Sequence, residues 1–381
     1  MRILFLVQGE GRGHLTQALS FAQLAESAGH EVIGALVGVT QDRPTPAFFS
    51  EQFPAPLTPL PSPGLVYHTQ TNALQPSKTA WKALLNARAY RRSIRQIRDV
   101  IESRKPDVVI NFYELLGGLT YGFYRPSVPM ICIAHQYLAF HPRFPFPAGQ
   151  LIDRALFKLT SRLTAWGAEE MLALSFDQQP DVPGRRLRVV PPLLRREVAE
   201  LNPTTGDFFL AYTTQPGLVT ELIKTHQQHP EIPMRIFHSG AQLAEERIDE
   251  TLTYHAINGQ RFLDAMQQCR AVVTTAGFES VCEAFYLGKP VLMIPQPNHF
   301  EQACNALDGQ RAGVGVSANT FDLNPLLTFM PQYTTETSEQ FRAWYGRGYY
   351  LFLAALNRAV QSKTSKSRQR PGALSTAGSQ S

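Results

Sequence analysis

Residues 271–306 read AVVTTAGFESVCEAFYLGKPVLMIPQPNHFEQACNA, and the fold is most readily predicted from this stretch. The β-branched run at 271–275 predicts a short buried strand, and the Ala-Gly pair after it predicts a turn. Apolar residues then recur at helical spacing over 278–287 until a Gly-Lys-Pro sequence ends the helix. A second buried strand is predicted at 291–294. Such a strand–turn–helix–strand unit is typical of an open parallel sheet, whose ligands bind at the carboxyl ends of the strands.

The residue types in this unit suit a phosphorylated nucleoside carrying a sugar. Gly277 to Ser280 begin the predicted helix, whose unpaired N–H groups favour a diphosphate. Glu283, one turn later, can accept hydrogen bonds from the two hydroxyls of a ribose. Glu301 and Gln302 follow the second strand and could bind the hydroxyls of a more distal ring.

This order of residues resembles the donor-binding signature of nucleotide-sugar glycosyltransferases of the GT-B architecture. The likeness is to the UDP-glycosyltransferases and to the enzyme that adds N-acetylglucosamine to the lipid-linked peptidoglycan precursor. The matching positions are Gly277, Ser280, Glu283, Leu287-Gly288-Lys289-Pro290, Glu301-Gln302 and Asn305-Ala306. Two positions depart from the pattern: Thr275 stands where many members carry a phosphate-binding His, and Glu279 stands where they carry Asn. A carboxylate facing a diphosphate is unfavourable, so we expect Glu279 to point away from it.

Length and composition indicate an ordinary globular protein. The 381 residues suffice for two α/β domains, and 44% hydrophobic with 18% charged residues is typical of a soluble chain. No apolar run approaches the roughly 18 residues of a membrane span, and Met1 leads into the first strand without a signal-peptide pattern, so we expect a cytoplasmic protein. The four cysteines lack metal-ligand spacing and are predicted to be reduced packing residues.

A glycine-rich loop at residues 8–14 follows the first predicted strand. Its glycines alternate as G-x-G-x-G, without the G-x-G-x-x-G spacing or the acidic residue of a dinucleotide fingerprint, so nicotinamide binding is disfavoured. The resemblance instead carries His14 into the role of general base, for which the near-neutral pKa of imidazole is suitable. Glu114 is the candidate carboxylate partner of His14, although plant members carry Asp where this chain has Asn111. Glu10 is a second-choice base.

Further contacts follow from the same architecture. The acceptor is expected against Gly13, His135 and Gln136 in the first half of the chain. The donor is expected against Thr213, Thr214 and Thr275 together with the signature residues, and the resemblance places Asn258-Gly259 near the nucleotide base.

The predicted fold class is α/β, with two doubly wound Rossmann-like domains facing an interdomain cleft. The predicted strands are 2–7, 31–37, 107–110, 130–134, 171–176, 187–190, 207–212 and 234–237, besides the two quoted above. Residues 1–192 form the acceptor-binding domain and residues 193–335 the nucleotide-sugar-binding domain. Residues 336–361 form a helix that packs back on the first domain, and 362–381 form a disordered tail.

A basic segment and an aromatic segment raise the question of a membrane. Lysines and arginines dominate residues 78–105, and aromatic residues alternate with prolines over 137–147. A solvated basic face is the plainer interpretation, and peripheral contact with anionic lipid at the inner face of the cell membrane is the alternative. Nothing else in the sequence indicates nucleic-acid binding.

The expected reaction is therefore transfer of a hexose from a nucleotide sugar to a hydroxyl acceptor, and the resemblance implies that the nucleotide is UDP. The chain has no Asp-x-Asp pair, so a metal-independent enzyme without a cofactor is predicted, and Thr275 stands where retaining relatives carry a second Glu, which favours inversion. Three alternatives remain open: a UDP-sugar epimerase with the same donor site, a non-catalytic nucleotide-sugar-binding protein, and a nicotinamide oxidoreductase. Neither the sugar nor the acceptor is identified by the sequence.

Overall fold

The structure, a computed structural model, describes residues 1–40, 44–64, 81, 84–213 and 216–368. Its framework is two seven-stranded sheets that follow one another along the chain. Helices cover both sheets, as expected for strands that are buried along their whole length.

The first sheet is entirely parallel and has the strand order β3-β2-β1-β4-β5-β6-β7. The strand order reverses direction next to β1, and ligands in doubly wound folds bind at this switch point. The strands are β1 (Arg2–Gln8), β2 (Glu31–Val39), β3 (Leu57–Pro61), β4 (Val108–Phe112), β5 (Met130–Ala134), β6 (Glu170–Leu174) and β7 (Leu187–Val190).

The second sheet repeats this design with the order β10-β11-β9-β8-β12-β13-β14. Only the short edge strand β10 runs antiparallel to its neighbour. The strands are β8 (Phe209–Thr213), β9 (Met234–His238), β10 (Glu246–Arg247), β11 (Leu252–Ala256), β12 (Ala271–Thr274), β13 (Val291–Met293) and β14 (Gly315–Ser317).

Helices connect most of the strands, as parallel neighbours in a sheet require. The α-helices are α1 (Gly13–Ser27), α2 (Ala47–Gln52), α3 (Ala87–Arg104), α4 (Leu115–Tyr124), α5 (Leu151–Thr164), α6 (Arg196–Glu200), α7 (Pro216–Gln228), α8 (Gly259–Gln268), α9 (Phe278–Tyr286), α10 (Phe300–Arg311), α11 (Asn324–Phe329), α12 (Thr335–Gly346) and α13 (Gly348–Arg368). Short 3-10 helices lie at His135–Phe140, Pro183–Arg185 and Met330–Gln332.

The predicted fold class is confirmed, and each predicted strand begins and ends within two residues of the observed one. One element was predicted wrongly: the single helix expected over residues 336–360 is two helices, α12 and α13, with Arg347 between them. Gly346 and Gly348 flank that residue, and glycine is a poor helix former because it loses most backbone freedom on folding.

The two sheets share one packed core where their helices meet. Buried residues of both halves belong to the same apolar cluster, and the ring of His135 stacks on Phe278 at a centroid distance of 3.9 Å. The Trp344 indole of α12 donates a hydrogen bond to the Ser175 carbonyl oxygen (3.1 Å), and α13 packs against β4, β5 and β7. The boundaries at residues 192 and 335 stay predictions.

Among the described helices, none is both long and apolar enough to cross a bilayer.

Candidate active site

The glycine-rich loop lies at the carboxyl end of β1, at the switch point of the first sheet. The Gly9 amide donates to the Gly38 carbonyl oxygen of β2 (2.8 Å), and a Cβ on Gly9 would collide with that oxygen. Glycine at this position therefore lets the loop run directly against β2, and α1 begins at Gly13, with His14 as its second residue.

A chain of hydrogen bonds runs from α9 through His14 to α10. Glu279 on α9 accepts from the Gln17 amide, and the Gln17 amide oxygen faces His14 Nδ1 at 3.3 Å. On the other side of the ring, Gln136 Nε2 lies 3.4 Å from His14 Nε2 and donates to Glu301 Oε1 on α10 at 3.0 Å. Two glutamines of the first half thus join His14 to carboxylates of the second half.

This arrangement favours one tautomer of His14. A proton on Nδ1 satisfies the Gln17 oxygen, so Nε2 is the unprotonated nitrogen. Its lone pair faces the Gln136 amide, and an acceptor hydroxyl must replace that long contact to pass its proton to Nε2. The ring also stacks on Tyr113, with centroids 5.4 Å apart and an interplanar angle of 18°. Burial lowers the pKa of His14 below its usual value, so the neutral, basic form predominates at neutral pH.

The Glu279 carboxyl is held protonated by its surroundings. Burial raises its pKa to about 8, and its Oε2 is buried without a hydrogen-bond partner among the described residues. Its side chain turns toward α1, where its Cγ would lie 3.4 Å from a Cβ on Gly13, as well as toward Gln17.

The Glu279 pKa leads to a pH-dependence prediction. The folded state keeps the proton up to about pH 8, while the unfolded chain releases it near the ordinary glutamate pKa of 4.5, so this group's contribution to the free energy of unfolding falls as pH rises between those values. We expect Glu279→Gln to flatten the pH dependence of stability measured by urea unfolding, and to be more stable than wild type above pH 8. Glu200→Gln, at an exposed pair on α6, is the matched control. Parallel wild-type and Glu279→Gln curves would contradict this assignment.

The start of α9 has the geometry expected of an anion-binding site. Gly277 is the N-cap residue, and the Ser280 hydroxyl donates to the Gly277 carbonyl oxygen (3.3 Å). Ala276 before it has φ = +55°, a left-handed conformation that a non-glycine residue adopts only when its surroundings hold it there. The side-chain amide of Asn305 stabilises this conformation by donating to the Ala276 carbonyl oxygen (3.1 Å). This hydrogen bond gives a structural role to the Asn of the Asn-Ala pair in the signature. Thr275 is half-buried beside this turn.

Glu283 lies one turn into α9, where its carboxylate forms an ion pair with Arg195. The Arg195 guanidinium donates from Nε to Oε1 (2.6 Å) and from Nη2 to Oε2 (2.7 Å), a bidentate pair. Each carboxylate oxygen has two lone pairs, so Glu283 keeps capacity to accept from ribose hydroxyls while it is paired. Only 3% of the Glu283 side chain is exposed.

Other predicted donor contacts lie along the same edge. Thr213 is buried at the end of β8, and Thr214 falls outside the described residues. Gln302 Oε1 accepts from the backbone N–H of Gln296 (2.8 Å). Part of the hydrogen-bonding capacity of Gln302 therefore stabilises the loop after β13. Glu301 faces the cleft through its bond to Gln136.

The predicted pairing of Glu114 with His14 is wrong. Glu114 caps α4 by accepting from the Leu116 amide (3.0 Å), and it accepts from the Ser62 hydroxyl at 2.7 Å. Burial raises the pKa of Glu114 to about 7. The side chain of Asn111 donates to the carbonyl oxygens of Glu114 and Thr164, so it too is structural.

The expectation that His135 contacts the acceptor also needs correction. Its Nδ1 bonds to the Leu174 carbonyl oxygen (2.8 Å), and its ring is packed among Phe144, Phe176 and Phe278. Burial lowers the pKa of His135 to about 4, so the ring is neutral. It is a packing residue at the junction of the two halves, whereas the adjacent Gln136 reaches the cleft.

The second-choice base, Glu10, lies against the segment after β3. Its Oε2 would be 3.2 Å from a Cβ on Gly64. Its role stays a prediction.

The sequence analysis did not predict four residues that lie in this region: Arg12, Gln17, Tyr113 and Arg195. Gln17 could have been found, because it lies one helical turn after His14 on the same face of α1. Arg195 could not, because nothing in a predicted linker signals a partner 88 residues away. Within the described residues, no three His, Cys, Asp or Glu side chains are grouped so as to hold a metal ion.

Comparison with known proteins identifies relatives across most of the chain. Residues 1–332 match the model of the family described as glycosyl transferase family 1. A Methanosarcina acetivorans protein named as an uncharacterized glycosyltransferase is 23% identical over 336 residues, which are 83% of each chain.

The chain is also similar to an enzyme of Lactobacillus johnsonii that is named for transferring N-acetylglucosamine from UDP-N-acetylglucosamine to a pyrophosphoryl-undecaprenol-linked muramyl pentapeptide. The identity is 22% over 268 residues, 61% of this chain and 66% of that enzyme, just under two thirds of its length. Among solved structures, the glycosyltransferase of kitacinnamycin superposes with a TM-score of 0.60 at 17% identity, covering 97% of this chain and 99% of that one, which supports the fold.

Proposed function

Because this chain belongs to glycosyl transferase family 1, we propose that it moves a hexose-type sugar from a UDP-sugar to a hydroxyl acceptor, with inversion and with His14 as general base. The observation that carries the proposal is the hydrogen-bond chain from Glu279 through Gln17 to His14. It presents a neutral imidazole, with Nε2 as acceptor, to the cleft beside the N-terminus of α9.

The choice of donor rests on the second half of the chain. The turn at Gly277 offers N–H groups and a helix dipole to a diphosphate, and the Glu283 carboxylate can accept from ribose hydroxyls. UDP is proposed because the L. johnsonii relative is named for a UDP-sugar. Glu301 and Gln302, at the start of α10, are the proposed sugar contacts.

The proposed reaction is a single displacement at the anomeric carbon. The acceptor oxygen forms a bond to that carbon as the bond to the β-phosphate oxygen breaks, and the electron pair leaves with the diphosphate. The acceptor proton passes to His14 Nε2. N–H groups at the start of α9 lie where negative charge develops on the leaving group, so no metal is proposed.

A turnover assay tests this function. Release of UDP would be measured from a panel of UDP-hexoses, with and without long-chain alcohols or polyprenyl phosphosugars as acceptors. Acceptor-stimulated UDP release with a glycosylated product supports transfer. Interconversion of UDP-sugars without acceptor would instead indicate an epimerase, and binding without any turnover would indicate a non-catalytic sugar-nucleotide-binding protein.

The acceptor is proposed to be lipid-linked, and the surface of the first half supports contact with a membrane. Helix α5 exposes Leu151 (74%) and Ile152 (76%) beside the cations Arg154 and Lys158. Crowding by neighbouring arginines adds to burial in lowering the pKa of Lys158, as expected in a cationic cluster. Apolar groups set among cations are complementary to an anionic bilayer surface.

A second group of exposed residues lies beside α3. Trp81, Leu84 and Leu85 are each more than 60% exposed, and Arg88, Arg91, Arg92 and Arg95 of α3 are exposed as well. Lys78 and Lys82 fall outside the described residues. The aromatic segment over residues 137–147 does not form an exposed apolar patch, because Tyr137 to Phe140 are buried in the 3-10 helix after β5.

Vesicle partitioning tests the membrane proposal. Wild type should sediment with vesicles containing anionic lipid more than with neutral vesicles, and added salt should weaken the effect, since each nearby cation contributes about 1 kcal/mol. The double substitution Leu151→Asp with Ile152→Asp should reduce partitioning at least about tenfold, because it puts charges in place of the exposed apolar groups that would enter the bilayer surface. Leu243→Asp, at a 57% exposed leucine of the second half, should change nothing. Equal partitioning with anionic and neutral vesicles would rule out this contact.

A further inference from the structure

The side chain of Gln136 covers the basic nitrogen of His14. Its Nε2 lies 3.4 Å from His14 Nε2 and donates to Glu301 Oε1 at 3.0 Å, so the amide lies between the base and a carboxylate of the second half. Gln17 contacts the opposite ring nitrogen, and Tyr113 stacks on the ring. Access of a small molecule to His14 Nε2 therefore depends on Gln136.

Buried neighbours hold the backbone on both sides of Gln136. The His135 ring stacks on Phe278 with centroids 3.9 Å apart, and the Tyr137 hydroxyl lies 3.0 Å from Thr164 Oγ1. Both flanking side chains are buried, and only 4% of Gln136 itself is exposed. Its amide therefore has a defined position and leaves it only when other polar groups replace its contacts.

The amide nitrogen of Gln136 lies where an attacking oxygen is required. In the proposed reaction that oxygen must come within about 2.6–3.2 Å of His14 Nε2 and face the sugar bound by Glu301. The Gln136 nitrogen lies at this point, in contact with both the base and the proposed sugar contact. Resonance draws the electron pair of an amide nitrogen into the carbonyl group, so this nitrogen does not attack the donor.

A water molecule in the same position would hydrolyse the donor. Its oxygen would form a bond to the anomeric carbon as the bond to the β-phosphate oxygen breaks, and the electron pair would leave with UDP. Its proton would pass to His14 Nε2, and the products would be free hexose and UDP. Truncation of Gln136 opens this route, because an ordered water needs about two or more polar partners, and His14 and Glu301 supply two.

We propose that Gln136 is a positioning residue that keeps water from the attacking position and thereby directs the donor to transfer instead of hydrolysis. A hydrogen bond to a carboxylate is stronger than a neutral one, and a single water gains little by replacing it, since the water must also be immobilised. An acceptor brings further contacts that offset the loss.

The Gln136 side chain also offers a contact to the acceptor. Its Oε1 is buried without a hydrogen-bond partner among the described residues, so a hydroxyl of the acceptor can donate to it. This role rests on the proposed function and extends it to the choice between a hydroxyl acceptor and water.

The test measures release of free hexose from UDP-hexoses labelled in the hexose, without any acceptor. Gln136→Ala should release hexose about tenfold or more faster than wild type, because a bond to a carboxylate no longer opposes the entry of water. Adding His14→Ala to that variant should return the rate to near the wild-type level, because the water then lacks its base. Gln179→Ala, the matched control, should leave the rate unchanged, since Gln179 is also buried with an unpartnered Oε1 but bonds to Asp177 and Ser175.

A Gln136→Ala enzyme that binds the donor as wild type does, yet hydrolyses it no faster, would overturn the proposal. Faster hydrolysis that persists after the His14→Ala substitution would also overturn it, as would a parallel fall of hydrolysis and transfer, the result of a merely structural role. If alanine prevents folding, Gln136→Asn, whose amide is one methylene shorter, carries the same expectation. Failure of wild type to bind or turn over any UDP-hexose would instead overturn the proposed function, and this role with it.

Discussion

Replacing His14 with alanine should lower kcat by about 10²- to 10⁴-fold, the range that general-base catalysis contributes, while the KM for the donor changes little. The reason is geometric. Gln17 accepts from Nδ1 and thereby makes Nε2 the basic nitrogen that takes the acceptor proton once the hydroxyl replaces Gln136, whereas the donor contacts lie on helices of the second half. Steady-state kinetics with the donor and acceptor found by the turnover assay provide the measurement.

The pH profile of the same enzyme gives a second indication. Burial lowers the pKa of His14 below 6.5, and a general base acts in its unprotonated form. We therefore expect kcat/KM to stay high at pH values somewhat below 6.5 and to decline only when the pH falls below the lowered pKa of His14. His30→Ala is the matched control, because that histidine lies near the chain's amino terminus at Met1, away from the cleft. A His14→Ala enzyme with wild-type kcat would exclude His14 as the base and leave Glu10 as the remaining candidate in the loop.

Replacing Glu283 with alanine should weaken donor binding by about 10- to 100-fold. Two effects act together: the ribose hydroxyls lose a charged acceptor, and Arg195 loses the carboxylate that orients it. The loss should appear for uridine as well as UDP, because both ligands carry the ribose. Calorimetric titration measures it.

Glu200→Ala is the control for that titration, since Glu200 also pairs with an arginine of the same segment but on an exposed surface. Its donor affinity should equal that of wild type. Donor affinity in Glu283→Ala equal to that of wild type would move the ribose site away from α9.

Much of the fold could be predicted from residues 271–306 and from similar runs elsewhere. Short β-branched strands that are buried on both faces, such as β12 and β13, leave a continuous apolar signal that identifies a parallel sheet. The signature around Glu283 could be recognised because its residues lie close together in sequence, on α9, on α10 and between them.

The parts that the sequence did not predict depend on contacts between distant segments. Glu114 and His135 have the right chemistry and occupy the right sheet edge, but local geometry directs Glu114 to the start of α4 and buries His135 against Phe278. The partners of His14 come from α1 and from the 3-10 helix after β5, and that of Glu283 comes from the segment between the sheets. Such pairings are set by tertiary packing, which no local pattern encodes.

A thermal-shift panel on the wild-type protein tests the central claim most directly. The ligands are UDP, UDP-sugars, other nucleoside diphosphates, nicotinamide dinucleotides and phosphate, each at several concentrations. A ligand that binds the native state raises Tm in proportion to the logarithm of its concentration above Kd. We predict that UDP or a UDP-sugar raises Tm of the wild type, with little response from the Glu283→Ala variant. Stabilisation by a dinucleotide alone, equal in both proteins, would contradict the account and direct attention to the glycine-rich loop at residues 8–14 as a cofactor site.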